Sequence, residues 1–344
     1  MASQLAIVSA SPLIGSPIIY QVKAATLSNA VAFHRVNLTV TAYQQGKADD
    51  SRQLTLSSPA ESGEVLTFDI SSAIRAVADS YQYEPEPPSY YPYFIYSLRA
   101  SDEYMQNGDL IENVGVVSLQ GGKVIMGAYS DLERILAGGN KLAQHFSRKP
   151  SSSPEIVAVG ERIVYAMSYS TPLSEASIIN GPHSQTYVVG SEGAKTVNGR
   201  PVYALPANQP DRYEFRFVNG LGVIESCSMK ALKSVEMNVS KEEYIRAITE
   251  QFSTFSRGLI TKSNDYETWK MTTGPIDEEW QSWYLHEFLM AKFVWIKISS
   301  HWLPCHIVPD ETVKGIDRSN GSICEVVFNV RLDLNGSPLA ALAI

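Results

Sequence analysis

The chain has 344 residues, 44% hydrophobic and 19% charged, with a net charge of −8 and a pI of about 5.4. This length exceeds one usual domain, and the apolar fraction suffices for real cores, which excludes wholesale disorder. The acidic balance argues against a nonspecific nucleic-acid binder, which needs a basic face to displace counterions. The three cysteines, Cys227, Cys305 and Cys324, are too few and odd in number for a disulfide framework.

The N-terminal "MASQLAIVSASPLIGSPIIY" has no Lys or Arg ahead of its first apolar run, and serines and prolines interrupt that run, so no secretory signal is expected. Strand signals then dominate: "QLAIVSA", "PIIYQVKAA", "AFHRVNLTVTAYQ" and "RQLTLSS" are β-rich and separated by polar or Pro/Gly clusters. In "VNLTVTAY", Val36, Leu38, Val40 and Ala42 point one way and Asn37, Thr39 and Thr41 the other. "GEVLTFDISSAIRAVADSY" reads as a strand running into a short helix, with Asp69 or Ser71 as N-cap and Ile70, Ile74 and Val77 facing inward.

Between Tyr81 and Tyr96 the chain carries four prolines and seven aromatics; its Pro-rich half cannot pair as a central strand, whereas "YFIYSLRA" can. "ENVGVVSLQGGKVIMGAY" predicts a hairpin turning at Gly121-Gly122, and "SDLERILAGG" a helix with a Ser130/Glu133 capping box and Gly138 as its stop. The polar "HFSRKPSSSPE", residues 145–155, is the best linker. It sets an N-terminal β-sandwich-like domain at 1–144 and a β-rich C-terminal domain with two helices at 156–344, with a further division point near 236.

The second part continues with "EIVAVGERIVYAMSYS", "SQTYVVGS" and "YEFRFVNGLGVIESCSMKALKSVEMNV" as strands. A helix is expected over "SKEEYIRAITEQFSTF", capped by Ser240 with Glu243 completing the box, and another over "IDEEWQSWYLHEFLMA", whose first-turn acids suit the helix dipole. "KFVWIKI", "WLPCHIV" and "ICEVVFNVRLDL" close the chain as strands. "LTFDISSAIRAV" and "VEMNVSKEEYIRAI" echo each other; duplication of one module and chance similarity of two capped helices both account for it. The expected class is mainly β with a few short helices (β/α+β), arranged as two β-sandwich-like domains. The longest apolar stretch, "FLMAKFVWIKI", is too short to span a bilayer and contains two lysines, so a soluble chain made in the cytoplasm is expected, without membrane insertion.

Each candidate for chemistry meets a simpler reading. Gly220-Leu221-Gly222 follows an apolar strand, but a phosphate loop needs a helix next and a third glycine where Glu225 stands; Asn219-Gly220 instead suits a hairpin turn, both residues tolerating positive φ. "HEFLM" has Met290 where a zinc-protease helix needs its second histidine. In "HWLPCH", adjacent Cys305 and His306 would point to opposite faces of a strand and could not share an ion. No Gly-x-Ser-x-Gly elbow occurs, Asp277, Glu278 and Glu279 read as dipole compensation, and "DRSNG" at 317–321 reads as a turn. The expectation is therefore no catalytic, cofactor or metal residues and no enzyme. A deep polar pocket holding a paired His and carboxylate would favour a hydrolase instead. The aromatics Tyr81, Tyr83, Tyr90, Tyr91 and Tyr93 suit either a sandwich core or an interface, with a protein or a surface glycan as the partner.

Taken together, "YEFRFVNGLGVIES", "FDISSAIRAV" and "LHEFLMAKFVWIKISSHWLPCHIVPDETV" followed by "EVVFNVRLDL" resemble segments of Bacteroides-type phage and prophage tail or baseplate proteins. Val223 follows Gly222 where that pattern often carries an aromatic. The resemblance implies a non-enzymatic, virion-associated structural protein that assembles with itself or with other tail proteins, and it brings no catalytic residues. The apolar C-terminal "SPLAALAI" would serve the same burial. The alternative is a carbohydrate-binding or adhesion module using the 81–96 aromatics.

Overall fold

The computed structural model describes residues 4–9, 13–27, 31–136, 146–166, 184–247, 256–309 and 324–332. The fold is mainly β, with three short helices and several sheets among the described residues. Two compact units divide it. The first takes Met1–Ser147, Val164–Gln185 and Asn219–Ile224; the second takes Arg148–Ile163, Thr186–Val218 and Glu225–Ile344. The first change of unit, at Ser147/Arg148, falls inside the polar 145–155 stretch, and the chain passes between the units again at each later boundary.

The first unit holds two sheets. Strands β1 (Gln4–Ser9), β2 (Ile19–Lys23) and β5 (Val65–Asp69) pair antiparallel in the order β1-β2-β5. Strands β3 (Val31–Gln44), β4 (Arg52–Pro59), β6 (Tyr93–Gln106) and β7 (Asp109–Ile125) form a second sheet, ordered β4-β3-β6-β7. The period-2 pattern of β3 works as its sequence predicts: Val36, Leu38, Val40 and Ala42 are buried. Alternate residues Phe94, Tyr96, Leu98 and Ala100 of β6 join them. Helix α1 (Ser71–Ala78) and the β1-β2-β5 sheet cover this face through Ile70, Ile74, Val77, Tyr20 and Phe68. Each fully buried Val, Leu or Ile contributes about 1.5–3 kcal/mol. Tyr20 and Tyr96 meet edge-to-face at 6.4 Å, with their hydroxyls 3.1 Å apart. The N-cap of α1 is Ile70, not Asp69 or Ser71, and makes no side-chain capping bond; one residue earlier, Asp69 Oδ1 accepts from Ser71 N at 3.0 Å and from Ile18 N at 3.2 Å. The Ser130/Glu133 capping box forms ahead of α2 (Asp131–Leu136), with reciprocal bonds of 2.7 and 3.2 Å. Gly138 lies outside the described residues.

Gly121-Gly122 is not a turn. β7 runs through it, and the hairpin with β6 turns at Asn107-Gly108, at φ 54° and 91°. The glycine pair sits instead at a register shift, where a Cβ on Gly121 would lie 2.3 Å from the Tyr96 carbonyl oxygen. A strand glycine here permits a bulge and a close approach of backbone to ring.

In the second unit β8 (Glu155–Ala158), β11 (Gly193–Val197) and β12 (Arg200–Leu205) form a small sheet, with β8 parallel to β12. Strands β9 (Arg162–Ala166) and β10 (Ser184–Val188) make a two-strand ribbon that belongs to neither unit alone, since unit boundaries fall at Ile163/Val164 and Gln185/Thr186. The largest sheet departs from the expected sandwich. β13 (Arg212–Val218), β14 (Ile224–Ala247), β15 (Ser256–Thr272), β18 (Val327–Leu332), β17 (His301–Pro309) and β16 (Val294–Ile298) close into a barrel in that order. Helix α3 (Glu278–Trp283) starts on Asp277, whose Oδ1 accepts from Trp280 N at 2.9 Å, and continues as a π turn, Tyr284–Phe288. Its apolar face packs with the barrel core: Phe288 lies 5.5 Å from Phe215, 5.2 Å from Phe217 and 5.5 Å from Phe328, all edge-to-face.

Over its described part, residues 240–247, the helix expected from Ser240 is a strand; 248–255 lie outside the described residues. Residues 240–247 belong to β14 and pair in an antiparallel ladder that runs from Lys230↔Thr272 to Ala247↔Ser256. Ladder hydrogen bonds to a distant strand override the local capping signal. The echo with "FDISSAIRAV" therefore ends at sequence, since its shared Ile-Arg-Ala lies in a helix at 74–76 and in a strand at 245–247. Among the described residues no helix is long and apolar enough to cross a membrane.

Candidate functional site

The tyrosines of 81–93 divide by role. Tyr83 and Tyr91 are buried and hold backbone: the Tyr83 hydroxyl donates to Gly222 O at 2.9 Å, and the Tyr91 hydroxyl accepts from Ile224 N at 2.8 Å and meets Ser184 Oγ at 2.9 Å. Burial pushes the Tyr83 phenol well above its ordinary pKa, so it remains a protonated donor throughout the neutral range. Tyr93 is buried under Lys123, and Tyr81 packs edge-on to Tyr83 at 4.8 Å and against the sandwich core. Tyr90 alone of the five is exposed, at 66%. We expect Tyr91→Phe to destabilise by about 1–3 kcal/mol in urea unfolding, because the buried Ile224 N–H loses its acceptor, and Tyr90→Phe to change stability by under about 0.5 kcal/mol.

The segment these tyrosines grip is the glycine pair of the sequence. β13 and β14 are joined by a three-residue hairpin loop: Asn219 N donates to Val223 O and Gly222 N to Asn219 O, each at 2.9 Å. The residue in the left-handed region is Gly222, at φ 79°, rather than Asn219 or Gly220. The Asn219 side chain accepts from Leu221 N at 3.0 Å and Val223 N at 3.1 Å and donates to Phe146 O at 2.7 Å. The amides of Asn219, Leu221, Gly222, Val223 and Ile224 are thus committed to protein partners rather than turned toward a phosphate.

A cleft of about 700 Å³ lies at one end of the four-stranded sheet, lined by Phe33, His34, Arg35, Pro59, Glu103 and Met105 among others. A β-bulge forms it. β3 sets both Phe33 and His34 between the pairs Ala32↔Met105 and Arg35↔Glu103, and Phe33 takes φ 52° with 86% exposure. A left-handed φ in an exposed aromatic is a strained position of the kind that clusters at binding surfaces. His34 Nε2 lies 2.7 Å from Asp102 Oδ1, which also accepts from Ala25 N at 2.9 Å. This is a paired His and carboxylate, but the serines lining the cleft donate elsewhere, Ser57 to Asn37 Oδ1 at 2.5 Å and Ser58 to Pro59 O at 3.3 Å. Glu103 accepts from Arg35 at 2.6 Å and Asn37 at 2.8 Å, and these two hold its carboxyl below the ordinary value.

The metal-ligand candidates separate as the strand period requires. Cys305 is buried and His306 exposed, and Cys227 and Cys324 are buried free thiols. Among the described residues no group of three His, Cys, Asp or Glu side chains is placed to hold an ion. The segment 317–321 and the C-terminal "SPLAALAI" lie outside the described residues.

One feature carried no expectation. The β14–β15 ladder outruns the barrel. Among the described residues, β13 reaches β14 as far as the bond from Ala231 N to Asp211 O, and β18 pairs with β15 over Glu267–Thr272. From Asn238↔Tyr266 to Ala247↔Ser256 the two strands pair with each other alone among the described ladders. Ten residues of strand span roughly 33 Å at about 3.3 Å per residue. The barrel thus extends as an arm whose two edges carry no ladder partner among the described residues. The sequence signals strand only as far as "VEMNV"; "SKEEYIRA" carries helix-type capping, so the length of the ladder had no local signal. Comparison of the chain with family models, with curated proteins and with solved structures finds no match.

Proposed function

We propose that this chain is a β-rich structural component of a phage- or prophage-derived tail or baseplate, made in the cytoplasm and incorporated into the virion, acting by assembly with copies of itself and with other virion proteins. The β14–β15 arm carries this reading. A two-stranded ribbon is marginal in water by itself, and open strand edges are templates for pairing with another chain. A fold that extends such a ribbon by ten residues gains most when a neighbouring subunit covers it. The exposed Phe33 beside its cleft offers a second surface of the same kind. The resemblance to tail and baseplate segments supports the same conclusion. A glycan platform built from residues 81–96 draws support from Tyr90 alone.

Shortening the arm tests the reading. Residues 240–264 are replaced by Asn-Gly, which keeps the Val239↔Asp265 pair as the last rung. The full chain should run as an oligomer in size exclusion with light scattering, and the shortened chain as a monomer with an unchanged near-ultraviolet circular dichroism spectrum. An oligomer that survives the deletion unchanged would refute the role of the arm.

A further inference from the structure

We propose that the second unit carries a binding site for a neutral, hydroxyl-rich ligand, a monosaccharide unit being the chemical class, in the polar cleft between the β8–β9 turn, the β12–β13 loop and the β16–β17 turn. The cleft measures about 280 Å³ and is lined by Glu161, Asn208, Gln209, Arg212, Glu214 and Lys297, with Tyr213 in its wall. That volume is near the lower end of small-ligand pockets, about 300 Å³, and suits one sugar ring rather than a longer run.

The charge arrangement selects the ligand. Arg212 Nε lies 2.8 Å from Glu161 Oε1, both side chains being about nine-tenths buried, and Lys297 is bonded to Glu214. Two acids and two bases leave the lining neutral. An anion would face Glu161 and Glu214, and a cation would face Arg212 and Lys297. A hydroxyl group donates to a carboxylate and accepts from a guanidinium or ammonium at once, and vicinal hydroxyls do so in pairs. Asn208 and Gln209 add amides with both donor and acceptor capacity. Tyr213, tilted 5.1 Å from Trp269, supplies the aromatic surface on which the apolar face of a sugar ring rests.

The site is preorganised. Glu161 Oε2 accepts from Ala158 N at 2.8 Å, Glu214 Oε2 accepts from Arg162 N at 3.0 Å, and Arg212 Nη2 donates to Ile156 O at 2.6 Å. These bonds fix the side chains before any ligand arrives, which lowers the ordering cost of binding. Three non-glycine residues of the surrounding loops, Asn208, Asp211 and Ser299, hold φ near +56°, a concentration of left-handed backbone of the kind that recurs at ligand clamps.

The test is saturation-transfer NMR on the full chain with glucose, galactose, mannose and N-acetylglucosamine as probes, and with glucuronic acid and glucosamine as charged counterparts. Transfer to at least one neutral sugar is expected. It should weaken at least tenfold in affinity in Asn208→Gly with Gln209→Ala, and again in Glu214→Gln, while Tyr90→Ala leaves it unchanged. Asn208→Gly retains the left-handed φ, and a thermal melt confirms that each variant is folded. No transfer from any neutral sugar overturns the proposal, as does binding that the cleft variants leave intact. Preference for either charged sugar overturns the neutral class. The assembly reading stands or falls separately, on the arm.

Discussion

Gly222→Ala is expected to be among the most damaging single-methyl additions in the first unit. At φ 79° an alanine costs about 1–2 kcal/mol from backbone sterics alone. Its Cβ would also lie 2.5 Å from the Met126 carbonyl carbon and 2.6 Å from its oxygen, so the backbone itself must move. Those contacts belong to a close-fitted surface: a Cβ on Gly127 would meet the Leu221 carbonyl oxygen at 2.3 Å, and Ala128 N donates to Gly220 O at 2.8 Å. We expect a total loss of about 3–5 kcal/mol in urea unfolding, within the exceptional class of point substitutions. Gly46→Ala is the internal control. Gly46 has φ 76° but open space around its Cβ position, so only the backbone cost of about 1–2 kcal/mol applies. Equal losses at the two positions would show that the turn's packing contributes nothing.

Lys149→Met should destabilise the second unit by about 3–5 kcal/mol, because it strands a buried carboxylate. The Lys149 side chain is 1% exposed; its Nζ donates to Glu155 at 2.7 Å and to Ser226 O at 2.5 Å, and lies 5.4 Å from the centre of the Trp283 ring. Taking the ammonium away leaves Glu155, itself 9% exposed, without its counter-charge. Adding Glu155→Leu should recover most of the loss, since well-packed apolar side chains often replace a buried ion pair without penalty. Chemical unfolding of the two singles and the double gives the coupling directly. A single Lys149→Met that costs under about 1 kcal/mol would mean the pair is not the compensated unit described here.

Period-2 patterning was legible wherever both faces of a strand have different fates. β3 follows its alternation from Val36 to Ala42, and Cys305 and His306 part to opposite faces. A helix start was legible where the cap is local, at Ser130 with Glu133; at α3 the first-turn acids were read only as dipole compensation, and Asp277 proves to be the cap. The same capping logic failed at Ser240, because nothing local reports that its strand partner, Asn264, lies 24 residues downstream. Turn chemistry was read at the wrong dipeptides. Asn-Gly supplies left-handed pairs at Asn107-Gly108 and Asn198-Gly199, as its sterics allow, whereas at 219–222 the left-handed residue is the later glycine and Asn219 works through its side chain. Tyr83 and Tyr91 were legible as core or interface but not as hydrogen-bonding clamps, since their partners are backbone atoms about 130 to 140 residues away. The polar cleft was not legible at all. Glu161 lies on the β8–β9 turn, Arg212 at the start of β13 and Lys297 within β16, and no spacing in the sequence ties them together.

Hydrogen exchange of the arm is the most direct measurement on the central claim. Amides of Asn238–Ala247 are followed by mass spectrometry at protein concentrations from sub-micromolar to several hundred micromolar. The account predicts rapid exchange at the dilute end and marked slowing as concentration rises, while the amides of β13 stay protected throughout. Exchange in the arm that does not change across the whole range would contradict assembly through it.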